Sequence, residues 1–593
     1  MLSDPIRVIS TSDVSALTDH LDQIEAEVRG GRYVAGYMSY EAGAAFDLAT
    51  HQPGSSAPLA WFGVYPPEHV VRVRELLDTD VQGSRSRTWM SGAIGIGASM
   101  DFRLNVTAAE YETAIARIRD LIAAGDTYQV NYTCHARFGL EVDPLDYFLA
   151  LVRSHPVPYA AYINVGDAQI LSLSPELFLK RRGELIETRP MKGTRPRGRT
   201  LEEDEQLARQ LQTSEKDRAE NVMILDMMRN DLGRFCRTGS VTVPAMFTVE
   251  KYRSVWQMTS TATGFAPDAS VGEVMAATFP PSSITGAPKR RTMEIIRELE
   301  SEPRGVYTGV ICLFEPGGDF TCSVAIRTLV HKDGEFDLGI GSGIVWDSDA
   351  QSEYEETLLK SSFAFDLTPD LRLFETLLLT EDRKYAHESE HIARIAESAK
   401  YWDFAFDENL FRARIREFAE TAEELPLRVH AELDQEGRVT ISAIPLPGAP
   451  ATPVRVLLSS RRTDSRDRFL FHKTTRRQLY DQALEEAQRE GFFEVMFLNQ
   501  RGNVTEGSFT NLFAYINGEW VTSPISEGML PGIWRDVFLR ENGVAERAIS
   551  LGDLATSEEV VIGNSVRGAI AVGEIVDEES GAVVWKAFEP LRR

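Results

Sequence analysis

Apolar and polar positions along the chain predict alternating helices and strands. From Thr107 to Gly125 the spacing is helical: Ile115, Ile118 and Ile122 form one apolar stripe. Thr107 and Glu110 form a capping box at its start, and Gly125 ends it. Apolar runs that are typical of strands follow at 129–138, 159–165, 169–174, 177–181, 305–314, 321–331 and 335–344. A second capping box, Thr200 with Glu203, predicts one helical stretch that leads towards Leu232.

The pattern changes after residue 366. A helix predicted at 352–362 runs into the short linker Asp366–Asp370. A strand at 371–379, a helix at 391–401 and strands between 427 and 444 follow it. We therefore predict an α+β protein of two domains, 1–367 and 371–593. The first has an N-terminal subregion 1–95, which ends in the polar stretch 78–88, and a core 100–362, in which the candidate catalytic residues described below lie.

Composition narrows the classes of function. The chain has 593 residues and a net charge of −26, which argues against nucleic acid as the main partner. Its four cysteines have no CxxC spacing and indicate neither a zinc site nor a dense disulfide framework. No signal peptide and no long apolar run is seen. We expect a cytoplasmic protein that does not bind a membrane.

Lys192 is the most informative single residue. It lies in the stretch RPMKGTRPRG (189–198), where two prolines and two glycines predict a stiff turn. A partly desolvated lysine that is crowded by cations can lose its proton near neutral pH and act as a nucleophile. Arg189, Arg195 and Arg197 are the expected neighbouring cations.

Acidic pairs at helical spacing predict a cation site. Asp217 with Glu220, and Glu353 with Glu356, are each three residues apart, so each pair shares a helix face. Two such pairs could close around Mg²⁺, which prefers oxygen ligands. Residues expected to bind an anion lie nearby in the sequence: Arg327 in a predicted strand, Lys360 one turn beyond Glu356, the Gly341-Ser342-Gly343 segment, and the turn 281–289 that contains Thr285.

Together these segments resemble the chorismate-binding enzyme family. The matching stretches are GDTYQVNYT (125–133), SPELFL (174–179), RPMKGTRPRG (189–198), EKDRAENVMILDMMRNDLGRFC (215–236), FPPSSITGAPKRRTMEIIRELE (279–300), RGVYTG (304–309), AIRT (325–328) and GSGIVWDSDAQSEYEETLLK (341–360). The resemblance implies a fold of two large antiparallel sheets with surrounding helices.

The resemblance also implies a reaction. Family members that activate water carry a lysine where Gln129 stands, so water is not the expected nucleophile. Anthranilate synthases carry a small residue at the position of Lys192, whereas aminodeoxychorismate synthases carry lysine. Lys192 is then expected to attack C2 of chorismate, with Glu176 as the general acid, before ammonia adds at C4. A Gln257-Met258 pair replaces the His-Leu pair of many relatives.

Ligands are implied by the same match. Mg²⁺ would be held by Asp217, Glu220, Glu353 and Glu356. Chorismate would be lined by Thr194, Thr285, Tyr307, Arg327, Gly341, Gly343 and Lys360. No cysteine lies in a Gly-x-Cys-x-Gly turn, so we expect a separate glutamine amidotransferase subunit to supply ammonia, or free ammonia to be used.

The C-terminal third contains candidate residues for pyridoxal phosphate (PLP). This cofactor needs a lysine for its aldehyde, an acid at its pyridine nitrogen and a phosphate site. Lys473 and Glu506 supply the first two. The phosphate site is predicted at the helix start that contains Ile533 and Trp534, completed by Arg394 and Ser565.

In this order the residues resemble the fold-type IV family of PLP enzymes, over about 371–590. Its members include aminotransferases and aminodeoxychorismate lyases. The lyase reaction would convert the first domain's product into 4-aminobenzoate and pyruvate, and fusion would raise its local concentration. Three alternatives stay open: a C-terminal aminotransferase, anthranilate-type synthesis, and a domain that only binds. The resemblance also allows a homodimer through the PLP domain, and a role in either folate or antibiotic synthesis.

Overall fold

The structure is a computed structural model that describes residues 1–54, 57–71 and 101–587. The predicted polar stretch 78–88 lies outside these residues. The chain divides into two compact units. The first contains Met1–Arg197 and Leu207–Pro369, and the second contains Gly198–Gln206 and Asp370–Arg593. The short segment Gly198–Gln206 therefore belongs to the second unit, which the sequence did not indicate.

The first unit is built on two antiparallel sheets, as the fold class predicts. The larger has the strand order Arg7–Thr11, Ala60–Tyr65, Tyr33–Met38, Val310–Phe314, Phe320–Val324, Leu177–Arg182, Leu185–Arg189, Val255–Phe265 and Met191–Pro196, with Thr242–Lys251 also paired to Val255–Phe265. The smaller has the order Gly286–Ala287, Gln129–Gly139, Glu335–Ile344, Thr328–Lys332, Ala168–Ser174 and Tyr159–Asn164, with Arg103–Leu104 paired to Gln129–Gly139.

The predicted strand 321–331 is wrong as a single element. It is two strands, Phe320–Val324 in the larger sheet and Thr328–Lys332 in the smaller one. Arg327 lies between them, not in a strand, at a left-handed φ of 49°. An apolar run cannot reveal this break, because both strands are buried and have the same residue types. The strand predicted at 305–314 is likewise shorter and begins at Val310.

The helices up to Pro369 are Leu17–Arg29, Ala108–Ala123, Pro144–Ser154, Leu201–Thr213, Glu215–Gly233, Val271–Thr278, Lys289–Leu299 and Ala350–Ser361. The Thr107–Glu110 capping box is present, and Ile115 and Ile118 are buried. The single helix predicted towards Leu232 is wrong: Ser214 separates two helices because its side chain accepts from the backbone N–H of Asp217 and caps the second.

The second unit contains a three-stranded antiparallel sheet and a larger mixed sheet. The first has the order Leu373–Leu379, Leu427–Leu433 and Val439–Pro445. The second has the order Ala545–Glu546, Glu519–Thr522, Asn511–Ile516, Glu559–Asn564, Gly568–Asp577, Val454–Thr463, Glu494–Asn499, Asn503–Gly507 and Ile549–Ser550, with Val583–Lys586 paired to Gly568–Asp577. The helices are Glu388–Trp402, Glu408–Thr421, Gln478–Arg489, Ile533–Asn542 and Leu551–Ala555.

Short 3-10 helices lie at Val14–Ala16, Tyr40–Phe46, Pro67–His69, Ser282–Ile284, Ser362–Ala364, Arg468–Phe471 and Ile525–Glu527. Cys312 and Cys322 face each other on paired strands and form a disulfide. Within residues 1–54, 57–71 and 101–587, no helix combines the length and apolar character of a membrane span.

Two candidate active sites

Lys192 lies on a bulged strand, not in the predicted turn. The strand Met191–Pro196 pairs with Val255–Phe265, and the register shifts between Met191 and Thr194. Gly193 has a φ of 95° at the shift, which favours glycine. A Cβ at Gly193 would lie 3.0 Å from the Cβ of Asp217, so the helix Glu215–Gly233 packs closely behind the lysine.

The amine of Lys192 is surrounded mainly by carboxylates. The lysine is partly buried. Burial lowers its pKa, and the positive charge of Lys360 lowers it further. The carboxylates of Glu220 and Glu176 oppose that shift. Burial with a net lowering of the pKa is what a nucleophilic amine requires.

The predicted crowding of Lys192 by three arginines is wrong. Arg189 pairs with Glu250 at 3.0 Å. Arg195 pairs with Asp217 at 2.7 Å, and Arg197 donates to the carbonyl of Tyr252 at 2.9 Å. Successive side chains of a strand point to opposite faces, and each of these guanidinium groups binds a partner that is distant in the sequence. Their closeness to Lys192 in the sequence therefore did not predict their partners.

Glu176 is a buried acid beside Lys192. Its side chain is 4% exposed. Burial raises its pKa to about 7, although hydrogen bonds from Ser283 and the backbone of Met191 and the charge of Lys192 oppose the rise. A carboxyl group with this pKa holds a proton near neutrality and can donate it to a leaving group. Glu176 and Lys192 act on each other electrostatically, and their catalytic roles stay a prediction.

Gln129 and Gly343 lie against the amine of Lys192. A Cβ at Gly343 would lie 2.3 Å from Nε2 of Gln129 and 3.1 Å from Nζ of Lys192. Glycine is therefore needed at 343 to leave room for both side chains. Gln129 is 1% exposed, and its Oε1 has no hydrogen-bond partner within the described residues. A buried acceptor without a partner is costly unless a ligand supplies a donor.

The four carboxylates predicted to hold Mg²⁺ do not form a metal cluster in this structure. Asp217 is paired with Arg195, and Glu356 with Lys360 at 2.8 Å. Glu353 accepts from Ser342 at 2.6 Å and from Ser348 at 2.7 Å. Within the part of the chain that is described, no three His, Cys, Asp or Glu side chains stand together as ligands.

Glu220 nevertheless has an environment that a cation would relieve. Burial raises the pKa of Glu220, and the nearby negative charges of Asp217 and Glu353 raise it further. Oxygen donors are the ligands that Mg²⁺ prefers. The chemistry of the donor set therefore fits Mg²⁺, provided that Asp217 and Glu356 exchange their present cationic partners for the metal.

Arg327 is the strongest candidate for binding an anionic substrate. It is partly buried, and its guanidinium group forms no ion pair or hydrogen bond within the described residues. Burial lowers its pKa, opposed by the nearby Tyr252. Burying a cation without a protein partner is unfavourable because the cation loses water. A carboxylate of a ligand would offset this loss.

The other predicted substrate residues differ in exposure. Thr194 is exposed and donates to Oε1 of Gln257 at 3.1 Å. Thr285 and Tyr307 are buried, and burial raises the pKa of Tyr307. Lys360 donates to the carbonyl oxygen of Gly341 at 3.0 Å, which places these two predicted residues together.

Lys473 forms the centre of the second candidate site. Burial lowers its pKa to about 7, helped by the charges of Arg394 and Arg477. Its Nζ lies 4.8 Å from the centre of the Phe374 ring, and its carbonyl oxygen accepts from the N–H of Phe374 at 3.0 Å. The amine is thus held over an aromatic face, and its lowered pKa favours the neutral form that bond formation to an aldehyde requires.

Glu506 is a buried carboxyl group in the same site. Burial raises its pKa to about 8. It accepts hydrogen bonds from the hydroxyl of Tyr480 and the N–H of Leu530, both at 3.1 Å, and from Nδ2 of Asn511 at 3.4 Å. These donors fix its orientation. A protonated pyridine nitrogen would add a positive charge next to this carboxyl group and favour its ionised form.

The predicted phosphate site combines the uncapped N-terminus of a helix with an arginine that is hydrogen-bonded next to it. The helix Ile533–Asn542 begins after Gly532 without a side-chain cap, so its first N–H groups are available. Arg394 donates to the carbonyl oxygen of Pro531 at 3.0 Å, which brings its charge to this helix start. Ser565 lies in the turn between the strands Glu559–Asn564 and Gly568–Asp577. The residues present fit PLP.

Several residues of both sites were not predicted. Glu375, which is fully buried, binds Arg394 at 2.6 Å and His391 at 2.7 Å. Although burial opposes it, these partners lower the pKa of Glu375 to about 2. Tyr480 and Asn511 orient the acid, and Asn221 contacts the backbone of Lys192. The only available signal was the position of Glu375 and Asn221 inside matching segments.

Comparison with known proteins decides the family. The model of the chorismate binding enzyme family matches residues 4–366. The chain belongs to this family. The model of amino-transferase class IV matches residues 372–575, so a class IV domain follows the chorismate-binding one. The two matches cover the same two parts of the chain in which the sequence resembles these families.

Relatives of two kinds, aminodeoxychorismate synthases and anthranilate synthases, have nearly the same sequence identity to this chain. Aminodeoxychorismate synthase component 1 of Bacillus subtilis is 42% identical over 276 residues, which is 46% of this chain and 58% of the relative. An anthranilate synthase component 1 of Haloarcula marismortui is 43% identical over 260 residues, 44% of this chain and 53% of the relative. The chain thus spans little more than half the length of either relative, and identity does not distinguish the two reactions.

The fold of the first unit has a solved counterpart. Anthranilate synthase component I from Streptococcus pneumoniae covers 61% of this chain and 91% of its own, with 27% sequence identity and a TM-score of 0.51.

Proposed function

We propose that the first unit aminates chorismate at C4 to give 4-amino-4-deoxychorismate. The observation that carries this proposal is the partly buried amine of Lys192 next to Glu176, a carboxyl group with a pKa of about 7. Overall identity to the two kinds of synthase is nearly equal, so the decision rests on the residue at 192. Lysine there is what the resemblance associates with amination at C4.

In this mechanism the neutral amine of Lys192 attacks C2 of chorismate. Both ring double bonds shift, from C1=C2 and C5=C6 to C1=C6 and C4=C5, and the C4 hydroxyl leaves as water with the proton of Glu176. Ammonia then attacks C4, both double bonds shift back, and the amine of Lys192 departs from C2. Glu176, now ionised, takes up the proton that ammonia releases. Arg327 binds a substrate carboxylate throughout and orients the ring for both attacks.

Mg²⁺ is part of the proposal. Asp217, Glu220, Glu353 and Glu356 would hold it, and it would neutralise a carboxylate of chorismate. Glu220, whose pKa is raised by burial and by two neighbouring carboxylates, is the member that gains most from the metal. The pairs that Asp217 and Glu356 form in this structure would open when the metal binds.

We propose further that the second unit eliminates pyruvate from this product to give 4-aminobenzoate. Bound PLP supplies an electron sink for the bond changes. Lys473, with a pKa of about 7, holds the cofactor and then moves the proton from C4 of the substrate. Glu506 maintains the proton at the pyridine nitrogen. Loss of the enolpyruvyl group makes the ring aromatic, which drives the step.

The proposal also includes an alternative reaction for the second unit, a partner subunit and a mode of assembly. The class IV amino-transferase match leaves transamination as the second candidate reaction of this unit. A separate glutamine amidotransferase subunit is the proposed source of ammonia, and pairing of two copies through the PLP domain is the proposed assembly.

The test is to incubate the protein with chorismate, ammonium, Mg²⁺ and PLP and to identify the aromatic amine by chromatography. We expect the para isomer, and we expect Lys192→Ala to abolish it. The ortho isomer would contradict the role of Lys192. To test for transamination, 2-oxoglutarate and an amino acid donor replace chorismate; conversion of these would favour the alternative.

A further inference from the structure

The backbone at Lys192 needs a special support because the strand is irregular there. Met191 pairs with Thr259 and Thr194 pairs with Gln257. Two residues, Lys192 and Gly193, therefore oppose the single residue Met258. Ladder hydrogen bonds are disrupted at such a bulge, and its carbonyl groups need other donors. The position and direction of the lysine side chain depend on whatever supplies them.

Asn221 supplies these donors. It lies on the helix Glu215–Gly233 and is 1% exposed. Its Nδ2 donates to the carbonyl oxygen of Lys192 and to that of Met258, each at 3.3 Å. Its Oδ1 accepts from the hydroxyl of Ser260 at 2.5 Å. One amide group thus joins both strands across the bulge, and its two N–H groups and its oxygen all have partners.

The same helix also faces the amine of Lys192. Glu220 precedes Asn221 in the sequence, and its charge acts on the lysine amine. Close packing of Gly193 against Asp217 adds a third contact between this helix and the bulge. The helix therefore fixes the backbone of Lys192 through Asn221 and influences its charge through Glu220.

We propose that Asn221 is a positioning residue that holds Lys192 in its reactive place through the carbonyl oxygen of the lysine. The proposal rests on the proposed role of Lys192 as the nucleophile. Without the amide, the bulge can relax, and the amine moves away from its partly buried position, where the charges of Glu176 and Glu220 act on it. Catalysis would fall because the attacking atom is displaced, not because a reacting group is lost.

The test uses a measurement on Lys192 that does not involve chorismate. A small amine-selective acylating reagent is applied to the full-length protein between pH 6 and pH 10, and the modification of Lys192 is measured by peptide mass spectrometry. The groups that act on this amine are Glu176, Glu220, Glu356 and Lys360, and the variants retain all of them.

Asn221→Ala is compared with Asn221→Ser, which keeps one donor. The control is Thr278→Val, which removes another buried hydrogen bond to a backbone carbonyl, from Oγ1 of Thr278 to Val274 at 2.7 Å. In Asn221→Ala we expect the pH midpoint of modification to rise towards the ordinary lysine value of about 10.4. We expect kcat for amination to fall about 10- to 100-fold with KM nearly unchanged. Asn221→Ser should recover part of both, and the control should change neither.

Two results would overturn the proposal: an unchanged midpoint in Asn221→Ala, or a loss of kcat no larger than that in Thr278→Val at equal folded fraction. The proposed function fails by a different result, namely amination that persists in Lys192→Ala. In that case the acylation profile still decides whether Asn221 positions the lysine.

Discussion

Replacing Glu176 by glutamine should separate stability from catalysis. Glu176 is 4% exposed and its pKa is raised to about 7 by burial. Glutamine has nearly the same shape and can accept one hydrogen bond, but it carries neither a charge nor an acidic proton. We therefore expect Glu176→Gln to abolish amination, because the hydroxyl at C4 of chorismate would lose its proton donor.

The stability effect follows from the pKa. A rise from 4.5 to about 7 corresponds to about 3 kcal/mol that the folded protein loses when Glu176 ionises. The raised pKa means that the folded state binds more protons than the unfolded state between these two values. The contribution of Glu176 to stability is therefore fully present below pH 4.5 and is lost as the pH rises to about 7. Glutamine does not ionise, so the free energy of unfolding of the variant does not fall for this reason as the pH rises.

The assay is thermal unfolding of wild type and Glu176→Gln at pH 5 and pH 8, with amination measured in parallel. The free energy of unfolding of the variant, relative to that of wild type, should rise by about 2.5 kcal/mol on going from pH 5 to pH 8. Glu184→Gln, at an exposed carboxylate in the same sheet region, is the control and should show no such difference. A stability difference between variant and wild type that does not change with pH would refute the reasoning, as would retained amination.

Three further predictions concern the remaining charged groups. Arg327→Gly suits the φ of 49° at this position and should raise the KM for chorismate about 10- to 100-fold without loss of stability; an unchanged KM would exclude Arg327 from substrate binding. Attachment of PLP to the apoprotein, followed by visible absorbance, should accelerate up to about pH 7 and then level off, because the pKa of Lys473 is about 7; acceleration that continues to pH 10 would contradict this. Glu375→Gln should release Arg394 and weaken PLP affinity about tenfold, measured by equilibrium dialysis on folded protein; unchanged affinity would show that Glu375 has only a structural role.

Much of the site follows from the sequence because its residues lie in segments with strong local signals. The capping box at Thr107 predicted a helix of the first unit, and the order of the motifs predicted the family of that unit. The separate motif around Lys473 predicted the second unit. Lys192 and Glu176, which act on each other electrostatically in the structure, were singled out only through the family resemblance. These features depend on local residue types and their order, which the sequence shows directly.

Other features depend on pairings that the sequence does not show. The bulge at Gly193 is set by the register with a distant strand. The turn at Arg327 joins two sheets within a continuous apolar run. The pairing of Asp217 with Arg195 removes a predicted neighbour of Lys192 and occupies a predicted metal ligand at once. Charge partners are chosen by the fold, so proximity in sequence predicted them poorly.

The most direct test of the central claim is the product that Lys473→Ala makes from chorismate and ammonium in the presence of Mg²⁺ and PLP, identified by mass spectrometry. The account predicts that the non-aromatic 4-amino-4-deoxychorismate accumulates and that 4-aminobenzoate and pyruvate do not form, while wild type forms both. Release of 4-aminobenzoate by Lys473→Ala at the wild-type rate, or no aminated product from either protein, would contradict it.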